Sequence, residues 1–208
     1  MTRALVMILL QVLLAAGCDS SEVAPARTLQ EAAHVLAHES GSVVRDYSTR
    51  DFGREQFAGA RSVVVPGNRA QEILAAVRSR LGPGLIAFIG TQNNLADSAP
   101  IGIEVVVASG ESQFDILRVA ASDAVNYDMG TEDLVRELQT WDAEVGIDIY
   151  AAQTDLMQLR LKTMPRDLKR FAGRVYEFCP DIVDQGTGTV AELEKTIAES
   201  REIYLWWD

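Results

Sequence analysis

The closing run Ile203–Trp207 constrains the fold more than any other stretch of the chain. Side chains of a strand alternate between the two faces of its sheet. Ile203, Leu205 and Trp207 therefore share one face, and Tyr204 and Trp206 share the other. Both sets are bulky and apolar, which predicts a strand covered on both sides and held in the core. A helix stands ready beside it. Thr189 followed by Glu192 has the spacing of a capping box, and Val190, Leu193 and Ile197 then recur at helical intervals.

The same alternation of helix and strand signals runs through the rest of the chain. Thr28 and Glu31 form another capping box, opening a helix to Glu39 with Leu29, Ala32, Ala33 and Leu36 as its apolar stripe. Ser42–Tyr47 reads as a strand, Asp51–Gly59 as a loop, and Ser62–Val65 as a short strand stopped by Pro66-Gly67. Asn68 is placed to cap a helix bearing Ile73, Leu74, Val77 and Leu81, which Gly82-Pro83-Gly84 ends. Strands follow at Leu85–Ile89 and Ile101–Val107, separated by a polar loop over Thr91–Pro100. Ser112–Ala120 reads as a helix. Thr131 then caps a clear one to Val145, with Leu134, Leu138, Trp141 and Val145 inward. Ile147–Ala152 and Leu156–Lys162 pair as a hairpin around the turn Gln153-Thr154-Asp155. Pro165 suits the first position of a helix carrying Leu168, Phe171, Val175 and Phe178. Pro180 ends that helix, and Asp181–Thr189 is expected as a turn. The pattern is α/β, a mixed β-sheet flanked by helices with the C-terminal strand in the core.

The N-terminus reads as an address. In Met1–Cys18, a single Arg3 precedes a mostly apolar run and then small residues, the layout of a secretory signal peptide. The ending Ala15-Ala16-Gly17-Cys18 resembles the bacterial lipobox, with Ala15 where that box favours Leu. The resemblance implies removal of residues 1–17 and a lipid on the Cys18 thiol. Residues 18–27 then form a short polar tether, and the partner it implies is a membrane, at the periplasmic or extracytoplasmic face of the cell envelope.

A net charge of −11 argues against nucleic acid as a partner, since phosphate recognition needs clustered Lys and Arg. His34 and His38, four residues apart on the polar face of the first helix, have metal-ligand spacing but no third ligand beside them. No metal site and no cofactor is expected. Cys179 lies at a helix C-terminus, where the dipole disfavours a thiolate, and its expected role is structural. Gly186-Thr187-Gly188-Thr189 opens a helix as a phosphate cradle would, but no Lys follows and acidic residues surround it. The candidate site is a polar set: Asn126, Asp181, Asp184, Gln185 and Asp208. Paired carboxylates can do general acid–base work when one pKa is pushed upward, and Asn and Gln can orient a ligand.

One set of motifs carries a family resemblance. Asn126-Tyr127, Trp141-Asp142, Phe178-Cys179-Pro180-Asp181, Gln185-Gly186 and Leu205-Trp206-Trp207-Asp208 occur in the order and spacing of the bacterial domain-of-unknown-function family 4253. The segment from about Ser112 to Asp208 resembles that family. The chain then divides into a leader over 1–17, the tether over 18–27, an N-terminal α/β part over 28–110 and the family-like domain over 111–208. The resemblance brings no activity with it. The expectation is a lipid-anchored, non-enzymatic domain that binds a protein or small ligand. A carboxylate-based hydrolase or transferase is the alternative, and an immunity or inhibitor protein with an acidic face a further one.

Overall fold

A computed structural model describes residues 24–48, 56–91 and 102–208. The leader, Cys18 and nearly all of the polar loop expected over Thr91–Pro100 lie outside them. The described strands are β1 (Arg45–Ser48), β2 (Gln56–Val65), β3 (Leu85–Ile89), β4 (Ile103–Ser109), β5 (Ile147–Ala152), β6 (Leu156–Leu161) and β7 (Glu202–Trp206). They make one seven-stranded sheet in the order β1-β2-β4-β3-β5-β6-β7. The helices are α1 (Leu29–Ser40), α2 (Ala70–Arg78), α3 (Asp115–Ala120), α4 (Thr131–Val145), α5 (Leu168–Phe178) and α6 (Val190–Ser200). This is the mixed α/β architecture that the alternating signals predict.

Residue alternation builds a core on each face. Val63, Val65, Ala87, Ile89, Val105 and Val107 turn toward α1 and α2. Phe88, Val106, Ile147, Ile149, Met157 and Leu159 turn the other way, into the larger core that holds α3 to α6. Glu104, buried in β4, is met by Arg45 at 2.8 Å and Ser62 at 2.6 Å, so its charge is not left alone.

Strand β7 is an edge strand. Ile203, Leu205 and Trp207 enter the larger core as expected, but Tyr204 on the other face is 43% exposed. Coverage on both sides fails because α1 and α2 pack over the opposite end of the sheet, against β2, β3 and β4. Tyr204 instead packs on Trp206, with ring centroids 5.3 Å apart. The expected loop over Asp51–Gly59 gives way at Gln56, where β2 begins and pairs with β1. Pairing partners supplied the hydrogen bonds that local propensity did not favour.

Several helix starts shift. Asn68 sits in a short 3-10 turn, Gly67–Arg69, and does not cap α2. Thr131 is the first residue of α4 rather than its cap. The Asp133 carboxylate accepts from the backbone N–H of Gly130 at 2.9 Å and does the capping. Helix α5 opens at Leu168 with Asp167 as its cap, not at Pro165. The chain is fastened just before α1 begins: Ala26 is buried, donates to the Arg80 carbonyl at 2.8 Å and accepts from the Gly82 backbone N–H at 2.7 Å.

Candidate functional site

Strands β3, β5 and β7 run in the same direction, because β3 pairs parallel with β5, and β5 and β7 both pair antiparallel with β6. Their carboxyl ends therefore face one side of the molecule. In open α/β sheets that side is where ligands bind. Here the turn Gln153–Asp155 follows β5, and Trp207-Asp208 follows β7.

An aromatic chain positions this corner. Trp141 of α4 packs edge-on against Phe171 and Phe178 of α5, at 5.3 and 5.4 Å between centroids. Phe178 does the same to Trp207 at 5.4 Å. Such pairs contribute about 0.5–1.5 kcal/mol each beyond burial. The Trp207 indole N–H donates to the Phe178 carbonyl at 3.2 Å, which locks its ring.

After Pro180 the chain does not make the expected turn. Ile182–Thr187 is a π-helical segment, closed by Gly188 at φ 76°, whose N–H reaches the Val183 carbonyl at 2.8 Å. The wide coil brings Gly186 against Trp206. A β-carbon at Gly186 would stand 2.7 Å from the ring atom Cη2. It also leaves Asp181 nearly buried, at 5% exposed, pointing at the chain's last residues.

Asp181 accepts two hydrogen bonds. Gln185 Nε2 donates at 2.9 Å and the Asp208 backbone N–H at 3.0 Å, and the Tyr127 phenol lies close enough to act on the same carboxyl. Burial alone would raise its pKa. The donors outweigh burial and hold the carboxyl below its ordinary value. The same contact, after burial, pushes the Tyr127 phenol up to about 12. Asp181 is therefore a clamp that joins the 3-10 turn Val125–Tyr127, the π segment and the end of β7.

The structure gathers part of the expected site. Asn126, Asp181, Gln185 and Asp208 meet at this corner, but only Asn126 and Asp208 line an open space. Asp184 turns to solvent and accepts from the Tyr176 hydroxyl at 3.1 Å. The Cys179 thiol is fully buried and donates to the Trp206 carbonyl at 2.9 Å, and burial pushes its pKa up to about 11. His38 lies on the surface beside Glu39, and among the described residues no three His, Cys, Asp or Glu side chains are grouped to hold a metal ion.

The open space is a crevice of about 230 Å³. Ala124, Val125 and Trp207 form its apolar wall, and Asp123, Asn126, Asp155 and Asp208 its polar rim. Thr154 is the most buried of its polar residues, at 2% exposed, and its hydroxyl has no hydrogen-bond partner among the described residues. Around it the backbone carbonyls each accept a hydrogen bond. The Gln153 carbonyl accepts from the Ser122 hydroxyl, the Thr154 carbonyl from Asp123 N–H at 2.7 Å, and the Asp155 carbonyl from Trp207 N–H at 3.0 Å. The negative charge of Asp155, after burial, raises the pKa of Tyr204. Thr154, Asp155 and Asp123 are the crevice residues that sequence reasoning missed. Thr154 and Asp155 read only as turn residues, and no local signal distinguishes a turn threonine whose hydroxyl ends up buried.

Fold and crevice define a small α/β domain with a polar cleft at the carboxyl ends of its parallel strands. The family model described as Domain of unknown function (DUF4253) matches residues 104–208, and the chain belongs to that family. The matched stretch begins within β4 and takes in every residue of the crevice. No curated protein and no solved structure matches the chain.

Proposed function

We propose that this protein is a lipid-anchored, non-enzymatic binding domain at the cell envelope, tethered through Cys18 and presenting the β5–β7 crevice to a ligand. The observation that carries the binding reading is the state of Asp181. A general acid needs a pKa raised toward the working pH, and a general base needs lone pairs free for substrate. Asp181 has neither: its carboxyl is held below the ordinary value, and each of its oxygens receives an internal donor. This member of the candidate set thus serves the fold, while Asn126 and Asp208 line a crevice. The leader sequence supports the anchor.

One observation favours the alternative, a carboxylate-based hydrolase or transferase: Asp155 and Asp208 lie on the same crevice. Two experiments test these readings. Intact-mass measurement and membrane fractionation of the full chain should show an acylated, membrane-bound protein, and Cys18→Ala should lose both the acyl mass and the membrane. An unchanged distribution would remove the anchor. A panel of chromogenic ester, phosphoester and glycoside substrates should give no turnover. Turnover abolished by Asp208→Asn would replace the binding reading with the enzymatic one.

A further inference from the structure

We infer that the end of the sheet opposite the crevice is a docking base for an anionic phospholipid surface; this rests on the anchored reading above and names how the domain meets its membrane. The topology puts the chain's fastening point and a cationic surface at that same end. Strands β3 and β5 run parallel, so their amino ends lie together. Ala26 bonds to Arg80 and Gly82, just ahead of β3. The run Lys162–Arg170 starts beside the amino end of β5: Lys162 N–H donates to the Gly146 carbonyl at 2.9 Å, and Thr163 N–H to the Val145 carbonyl at 3.0 Å. Arg201, ahead of β7, joins them, its carbonyl accepting from Leu161 N–H at 2.8 Å. Strands β3, β5 and β6 are successive neighbours in the sheet, about 4.8 Å apart. A tether that ends at Ala26 thus meets the fold at its cationic end.

Residues 162–170 hold four cations, Lys162, Arg166, Lys169 and Arg170, against Asp167 alone, in a chain of net charge −11. Lys162 stands 3.9 Å from Asp142, and the Asp167 carboxylate caps α5 by accepting from Arg170 N–H at 2.9 Å. The exposed side chains of Arg166, Lys169, Arg170 and Arg201 have no ion-pair partner among the described residues. Other anions of this end are met, Asp148 by Arg78 at 2.7 Å and Glu202 by Arg160 at 2.6 Å. Glu111 and Glu199, exposed at the same end, are anions without such a partner, and the unpaired cations outnumber them. Folding does not explain Lys169 and Arg170: they stand in the first turn of α5, where the helix dipole disfavours cations.

The rest of the acidic surface does not cancel this field. Helix α5 rises about 16 Å over its 11 residues, from the base to Phe178 beside Trp207. That exceeds the screening length of about 10 Å at 0.1 M salt. An anionic surface attracts the base and repels Asp155 and Asp208 at the crevice, so the crevice faces away from the membrane. An acidic protein would meet the same cations, but the anchor holds headgroups near the base at high effective concentration.

The test is to reconstitute the full chain, through its own anchor, on vesicles of phosphatidylcholine alone and of phosphatidylcholine mixed equally with phosphatidylglycerol. Acetylation of Lys169 is then followed by mass spectrometry against Lys195, which lies on α6 beside Glu192. Lys169 should be slowed on the mixed vesicles and not on phosphatidylcholine, and high salt should remove the protection. Each cation removed should lower the docked-to-free ratio about fivefold, so Arg166→Gln with Arg170→Gln should lose most of the protection. Arg136→Gln, a charge change on α4 away from the base, should leave it intact. Equal acetylation of Lys169 on both vesicles, with protein bound to both, would overturn the base and leave the anchor. Binding to the mixed vesicles alone would remove the anchor and keep the base, and binding to neither would overturn both. Protection of Lys169 by soluble polyglutamate but not by the mixed vesicles would reassign the base to an acidic protein.

Discussion

Replacing Thr154 by valine should make this protein more stable. The side chain is 2% exposed and its hydroxyl has no partner among the described residues. Burying a hydroxyl without a hydrogen bond costs about 1–3 kcal/mol in proteins. Valine keeps the branched shape and exchanges that hydroxyl for a methyl, so no cavity opens and the desolvation cost disappears. At the low end, a gain of about 1 kcal/mol raises Tm by about 2–4 °C for a domain of 150–250 residues. Calorimetry on the parent, Thr154→Val and Thr154→Ser reads this directly, with the serine variant unstabilised because it keeps the hydroxyl. A valine variant less stable than the parent by 1 kcal/mol or more would refute the reasoning, because it would mean that the hydroxyl already has a partner.

The remaining predictions concern the same corner. Asp181 has a lowered pKa in the folded state, so its contribution to stability is fully present above the unfolded value near pH 4 and is lost as pH falls through the folded value. Asp181→Asn should therefore lower Tm at neutral pH, with the gap from the parent narrowing as pH falls below the ordinary carboxylate range; a gap that stays constant in thermal melts as the pH is lowered would contradict it. At Gly186 a methyl would stand 2.7 Å from Trp206 Cη2, so Gly186→Ala should cost about 1–3 kcal/mol and shift tryptophan emission; a denaturant midpoint and spectrum identical to the parent would remove the contact. The Cys179 thiol, pushed up to about 11 by burial, should resist iodoacetamide at pH 8 in the folded protein and react once urea unfolds it, and rapid alkylation of the native state would show that it is accessible.

Much of the architecture is legible in the sequence because it depends on short-range periodicity. The stripe Leu134, Leu138, Trp141 and Val145 marks α4, and all four residues are buried. The capping box of Thr28 and Glu31 forms on both sides, and Thr189 accepts from Glu192 N–H to start α6. The hairpin of β5 and β6 turns where its alternation breaks. The candidate site was half legible. Asn126, Asp181, Gln185 and Asp208 are polar residues that helix and strand patterns leave unexplained, and they do meet. Their roles could not be read, because whether a carboxylate clamps or reacts depends on which donors reach it. Asp184, three residues from Asp181, lands on the surface because the π-helical segment turns it toward Tyr176.

By itself, the sequence determined the α/β class, the identity of the core-facing residues and the polar character of the closing corner. These follow from side-chain spacing and from burial of apolar surface, which act locally along the chain. Only the tertiary structure decided that β7 is an edge strand, that Asp181 is a clamp and that Thr154 carries an unpaired hydroxyl beside three aspartates. Each of those depends on which distant segments supply or withhold a hydrogen-bond partner. That pairing is set by strand order and by the packing of α4, α5 and β7 around Trp141 and Trp207, and no local pattern encodes it.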